Sequence, residues 1–323
     1  MKKSRSYFKH IYIENSALEH EITREITSKF KNISIILVKN YLEIFGRKKQ
    51  SFLLQKAFPS LILARKQKNF LYPNPPYCQN FGFERSFYAS MVLNCIFDCK
   101  YCFLQGMYSS AYIVIFVNIE DLFCELEREL KNGNFLLFIS YDTDLLALEY
   151  ITNYIHRIYE FAKKNRELTI EIRTKSSNFR VIEDLAPISN IILAWSILPD
   201  KIIKTFETNT PLLKKRLESI NNAMSKGWNV RLCFDPLIFT KESLSDYEKM
   251  LEILAETIET KKIYDISVGN FRMNKSYLKK ITSIRLEILK IENEDSLYFE
   301  KILKKISSIF IDKKIYSLYN KPE

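Results

Sequence analysis

The stretch SFYASMVLNCIFDCKYCFLQ, residues 86–105, decides how the rest of the chain is read. Its first part, Phe87 to Leu93, is a short apolar and aromatic run of the kind that forms a buried strand. Cys95, Cys99 and Cys102 follow at C-x3-C-x2-C spacing, and a helix-like segment comes after them. An iron-sulfur cube normally takes four thiolates, so three on one loop leave one iron open to an exchangeable ligand.

Outward from this loop the chain alternates short β-branched or aromatic runs with longer amphipathic stretches, the rhythm of β-α units with parallel strands. The expected strands are Phe87 to Leu93, Phe135 to Tyr141, Leu168 to Thr174, Ile191 to Ile197, Asn229 to Phe234 and Tyr264 to Val268. Helices are expected over Asp144 to Lys164, Pro211 to Lys226 and Ser243 to Thr260. Six units fall short of the eight in a closed barrel. The expectation is therefore an α/β fold, a partial (β/α)6 TIM-like barrel over residues 86–273. An N-terminal subdomain, 1–85, would precede it, with a possible strand at Ile33 to Val38 and a proline-rich turn at Tyr72 to Tyr77. A helical, lysine-rich C-terminal extension, 274–323, would pack against the barrel's open side, with Leu286, Ile288, Leu289 and Ile291 at helix-like intervals. Each expected strand ends on polar or reactive residues, among them Cys95, Tyr141 to Thr143, Thr174 and Lys175, Ser196 and Asp235, and in parallel α/β folds ligands gather at that end.

Of the 323 residues, 47% are hydrophobic and 27% charged, as in ordinary globular proteins. The net charge of +11, from 49 basic and 38 acidic residues, suits a nucleic-acid partner. It also suits an AT-rich genome, which favours lysine, isoleucine, asparagine, phenylalanine and tyrosine. The N-terminal residues lack the apolar run of a secretory signal and no stretch is apolar enough to span a bilayer, so a cytoplasmic protein without a membrane partner is expected. In a reducing compartment six cysteines read as metal ligands and free thiols, not as a disulfide framework.

Other readings of the cysteine loop explain less of it. Structural zinc needs a fourth ligand, and His10, His20 and His156 are all remote in sequence, which leaves Cys78 or Cys124. A redox dithiol of Cys99 and Cys102 leaves Cys95 without a role. Outside the loop, Cys78, Cys124 and Cys233 read as small buried hydrophobes.

The cysteine spacing, with Tyr101 before the last cysteine, resembles the radical S-adenosylmethionine superfamily. The string NCIFDCKYCFLQGMY further resembles the spore photoproduct lyase family of DNA repair enzymes. QKAFPSLILARK, FVNIEDLF, YDTDLLALE, IRTKSSNF, AWSILPDKIIKTFETNTPLLKKRLESI and GWNVRLCFDPLI follow that family's order, so the likeness runs from about Ile11 to Ile258. It implies a [4Fe-4S] cluster on Cys95, Cys99 and Cys102, with S-adenosylmethionine on the fourth iron. One electron, from a reductase or a flavodoxin- or ferredoxin-type donor, would then release a 5′-deoxyadenosyl radical that takes hydrogen from a thymine dimer in DNA. Residue by residue, Tyr101 and Phe103 would lie beside the cluster and adenine. Thr143 would meet the methionyl part, Lys175 its carboxylate, and Ser196 and Asp235 the ribose and adenine.

Two positions depart from the family. Tyr141 stands where the family has a cysteine that donates hydrogen, and Phe103 stands where it has a tyrosine. The resemblance thus implies a competent radical initiator with an altered acceptor path. Tyr101 and Tyr141 are the residues left for a catalytic relay, with Tyr141 read as pocket wall in preference. The altered path leaves an RNA or peptide substrate open, and a non-catalytic nucleic-acid-binding protein with a structural metal is the reading from another class.

Overall fold

The computed structural model describes residues 7–241, 243–291 and 296–319. The expected parallel strands assemble into one curled, open sheet. Its order across the sheet is Ile315–Leu318, Asp265–Asn270, Asn229–Leu237, Ile191–Ser196, Leu168–Thr174, Phe135–Phe138, Ser86–Ala89 and Leu71–Pro73. All neighbours are parallel except the edge strand Leu71–Pro73, which runs antiparallel to Ser86–Ala89. This is the partial α/β barrel expected from the β-α rhythm.

The helices fill the connections. Asp144 caps Leu145–Thr152 by accepting the Ala147 N–H at 3.0 Å. The helix expected over Asp144 to Lys164 is two helices, because Asn153 adopts φ 54° and turns the chain before Tyr154–Lys164; asparagine tolerates that left-handed conformation better than most residues. Leu213–Lys226 ends on Gly227 at φ 94°, the left-handed cap that glycine supplies without strain.

The run Phe87 to Leu93 is not one strand. Ser86–Ala89 pairs in the barrel sheet, and the chain then crosses to a second sheet, where Val92–Leu93 runs antiparallel to Ile113–Phe116. That second sheet has the order Ser34–Val38, His10–Glu14, Leu61–Ala64, Ile113–Phe116, Val92–Leu93. Of its strands, Ser34–Val38 and Val92–Leu93 fall within expected ones, the latter as the far end of the run Phe87 to Leu93, and the other three do not. The short runs LILA and IVIF are buried at every position, so they carry no alternation to mark them. The cysteine loop therefore starts at the seam between two sheets.

The C-terminal extension holds the helices Lys275–Thr282 and Ser296–Ile309, as expected, and also the strand Ile315–Leu318, which extends the barrel sheet. In the short helix Leu286–Lys290 the apolar residues divide. Ile288 is buried, Ile291 just after it is buried, and Leu286 and Leu289 face solvent. The first tail helix lies on the short helix Leu104–Met107 of the cysteine loop. At Gly106 an added Cβ would sit 2.5 Å from Tyr277 Cβ and 2.6 Å from its Cα, so only glycine allows this approach.

Candidate active site at the cysteine loop

Asn94 opens the loop. It is fully buried, takes φ 64°, and its Nδ2 donates to the Ser110 and Tyr112 carbonyls at 2.8 and 2.9 Å, so the turn before Cys95 is fixed from the second sheet. Lys56 closes over the same turn, donating from Nζ to the Cys95 and Phe97 carbonyls at 2.6 and 2.7 Å. Farther along, Asp98–Cys99 forms a two-residue antiparallel ladder with Glu207–Thr208, and Gln105 Nε2 donates to the Cys99 carbonyl at 2.7 Å. The tail holds the outer side, where Arg285 donates to both Asp98 oxygens at 2.6 Å and Lys280 to the Gly106 carbonyl at 3.0 Å.

All six cysteines are free thiols. Burial pushes the Cys95 thiol up to about 12 and raises Cys99 and Cys102 as well, and the three oppose one another's ionisation. Lys56 favours the thiolates of Cys95 and Cys102, and Lys175 those of Cys99 and Cys102. Left alone such thiols stay protonated, whereas a bound metal deprotonates them outright. Among the described residues no three His, Cys, Asp or Glu side chains converge as a single-ion site would require. A cube, with one thiolate per iron, makes no such demand.

The expected cofactor residues line up along the strand ends. Thr143 is buried, and its Oγ1 has no hydrogen-bond partner. Asp144 joins its loop to the next strand, accepting the Thr174 hydroxyl and the Lys175 backbone N–H, both at 2.7 Å. The Lys175 ammonium lies 5.9 Å from the Tyr101 ring centroid and 3.9 Å from Glu207 Oε1; burial lowers its pKa, but Cys99 and Glu207 outweigh that and leave it raised. A buried, partnerless hydroxyl and a partly buried cation near the thiols of Cys99 and Cys102 fit a zwitterionic ligand at the cluster. Ser196 is buried, and its carbonyl accepts Arg216 Nη1 at 2.9 Å. Asp235 is held in an ion pair by Arg272 at 2.8 and 3.1 Å; burial would raise its carboxyl, but Arg272 and Arg173 hold it below the usual range.

Tyr101 and Tyr141 occupy different environments. Tyr101 is buried with its hydroxyl donating to Glu207. Tyr141 belongs to a column of rings, Phe103–Tyr141–Tyr88–Tyr72, with successive centroids 5.5, 4.1 and 5.0 Å apart. Several of these partners escaped the sequence reading, namely Lys56, Glu207, Tyr88 and Tyr72, because no local spacing ties them to the cysteines. Two of the three outlying cysteines also differ from expectation. Cys233 is buried, but Cys124 is exposed on the outer face of its helix and Cys78 is only partly buried.

A curled half-barrel with a three-cysteine loop at the carboxyl ends of its strands defines a radical S-adenosylmethionine enzyme. A family model described as spore photoproduct lyase matches residues 83–304, and the chain belongs to that family. Spore photoproduct lyase of Bacillus subtilis strain 168 is 23% identical over 274 residues, covering 80% of this chain and 75% of that protein. A solved spore photoproduct lyase variant with dinucleoside spore photoproduct superposes with a TM-score of 0.82 at 17% identity, covering 96% of this chain and 98% of that one. Another, a double variant with bound AdoMet and the same dinucleoside, superposes with a TM-score of 0.80 at 16% identity, covering 95% and 98%. The enzyme is a radical lyase that uses a [4Fe-4S] cluster and S-adenosylmethionine. Membership sets aside the non-catalytic reading with a structural metal. No helix among the described residues is long and apolar enough to cross a membrane.

Proposed function

We propose that this chain repairs a thymine photolesion in DNA, of the dinucleoside spore photoproduct type that its solved relatives hold. When bound, the reduced cluster and S-adenosylmethionine supply a 5′-deoxyadenosyl radical. The chain's own side chains set where that radical is released. Cys95, Cys99 and Cys102 hold the cluster, with Tyr101 and Phe103 beside it. Lys175 pairs with the methionyl carboxylate, Thr143 satisfies its empty hydroxyl on the same portion, and Ser196 and Asp235 border the ribose and adenine. The observation that carries this assignment is Lys175, a partly buried cation felt by two of the cysteines and tied through Asp144 to the loop of Thr143.

The lesion reaches the rim by leaving the base stack, as in other enzymes that act on a base. Lysine contacts to phosphate make binding fall with salt, consistent with the net charge of +11. A flavodoxin- or ferredoxin-type donor supplies the electron, in the cytoplasm. Anaerobically reconstituted protein, reduced with dithionite and given S-adenosylmethionine and the dinucleoside lesion, is expected to form 5′-deoxyadenosine and restore the dinucleotide. Absence of 5′-deoxyadenosine from cluster-loaded protein would refute the cofactor assignment. Its formation with restoration only of an RNA or peptide substrate would move the substrate class.

A further inference from the structure

We propose that the outward face of the short helix Phe52–Ala57 is the docking site for an acidic one-electron carrier protein, of flavodoxin or ferredoxin type, that reduces the cluster. This rests on the cofactor reading above and adds where the donor binds.

The helix is built inside out. Its polar side chains point into the protein, where Gln55 Oε1 accepts the Ser110 hydroxyl at 3.0 Å and the Ala111 N–H at 2.7 Å, and Lys56 Nζ donates to the Cys95 and Phe97 carbonyls. Apart from Phe52, its apolar side chains point out. Leu53, Leu54 and, just past the helix end, Phe58 are 39, 62 and 54% exposed. A helix on a globular surface ordinarily turns its apolar stripe to the core, and an outward apolar patch marks a surface that another molecule covers. Tyr7, also exposed, widens the patch toward the cysteines, its hydroxyl donating to the Ile96 carbonyl at 3.3 Å. Lys9 borders it, with Nζ 5.2 Å from the Phe58 ring centroid.

Charge and place decide the occupant. Residues 44–83 contain no Asp or Glu, and the exposed Arg47, Lys48 and Lys49 just before the helix join Lys9 as a cationic rim. A second copy of this chain would bring the same cations against them. Nucleic acid would answer the cations but not cover leucine and phenylalanine, since its interfaces are polar. An apolar centre within a charged rim is the anatomy of a protein interface, and an acidic partner complements this one. The inner side of the same helix grips the Cys95 turn, so a carrier seated on the outer side is separated from that turn by the helix alone. Electron transfer falls steeply with distance, which favours this approach. One electron leaves the carrier and arrives at the cluster; no bond is made or broken and no proton moves.

The test uses cluster-loaded full-length protein with a bacterial flavodoxin and a [4Fe-4S] ferredoxin as probes. Calorimetric titration reads binding, and 5′-deoxyadenosine formation is driven either by the reduced carrier or by dithionite. Leu54→Asp with Phe58→Asp is expected to weaken carrier binding and carrier-driven formation about tenfold and leave dithionite-driven formation unchanged. Lys48→Glu with Lys49→Glu is expected to weaken binding about threefold at low salt and to flatten its salt dependence. Equal urea midpoints for wild type and variants show that the loss is not one of folding. Unchanged carrier binding in both double variants, or no binding of either carrier by wild type, would overturn the proposal while dithionite-driven 5′-deoxyadenosine keeps the cofactor reading. Weakened binding of lesion DNA in place of the carrier would give the face to nucleic acid, and a wild-type dimer dissolved by Leu54→Asp with Phe58→Asp would give it to a second copy; either result overturns the proposal. No 5′-deoxyadenosine from wild type with dithionite would refute the cofactor reading and this one with it.

Discussion

Glu207 joins the fold to the cofactor side chains, and replacing it gives a sharp prediction. It is buried, as is Arg216, whose Nη2 donates to it; Tyr101 donates to its other oxygen, with Lys175 3.9 Å away. Glu207→Ala leaves a fully buried guanidinium without its counter-charge, a loss that costs about 3–5 kcal/mol in comparable pairs. Arg216 keeps its bonds to the Pro211 and Ser196 carbonyls and to Thr210, which places the expected loss at the lower end, about 3 kcal/mol. Glu207→Gln retains shape and acceptor but not charge, and about 2 kcal/mol is expected. Urea unfolding of metal-free protein measures both, with the midpoint moving and the slope constant. The pH dependence has a definite sign. Burial alone would raise the Glu207 pKa, but Arg216 and Lys175 outweigh it and hold it below its ordinary value of 4.5. Its stabilisation is therefore complete above that value and lost as pH falls through the lower, folded one, so Glu207→Gln should flatten the acid limb. A Glu207→Ala loss under about 1 kcal/mol would refute the claim that this carboxylate carries the cluster of buried charges.

Gly106→Ala should destabilise by about 1–3 kcal/mol through its clash with the Tyr277 backbone, and faster proteolysis within the tail helix would report it. Asp144→Ala removes the helix cap and the acceptor for Thr174 and Lys175, so a loss of about 2 kcal/mol is expected in urea, with weaker S-adenosylmethionine binding by calorimetry. The His156 pKa is raised above 6.5 chiefly by its hydrogen bond with Glu149, against some burial. Its contribution is thus full below 6.5 and fades as pH rises through the folded value, and His156→Gln should remove that slope from the unfolding midpoint.

What could be read in the sequence follows from how locally each feature is encoded. Leu168–Thr174 has the bounds expected of it because β-branched residues fill it and polar residues flank it. The cysteine loop was equally plain, its chemistry lying in spacing over eight residues. The strands Leu61–Ala64 and Ile113–Phe116 were missed because they are short and buried on both faces, and the crossing after Ala89 because an apolar run looks the same within one sheet or across two. Glu207 could not be found at all. It reaches Tyr101 across 106 residues, and nothing near it in the chain sets it apart from a surface glutamate.

The contacts that escaped the sequence share one property, which explains why the loop needs them. A cube carried by thiolates is a buried anion, and taking negative charge out of water is costly unless cations stand nearby. The loop itself supplies only Lys100, which is turned outward to Glu287. The compensating charges come from elsewhere. Lys56 arrives from before the barrel and Lys175 from a barrel strand, while Lys280 and Arg285 of the tail hold the loop's Gly106 carbonyl and Asp98 carboxylate. None needs to touch sulfur to act, since in a low-dielectric interior a cation a few ångströms away still lowers a thiol's pKa, as Lys56 and Lys175 do here. Three short segments with no kinship in sequence are thereby held around one loop. The family match running past the barrel to residue 304 is what that dependence requires: a barrel without its tail would keep the three cysteines but lose Lys280, Arg285 and the helix that packs on Gly106.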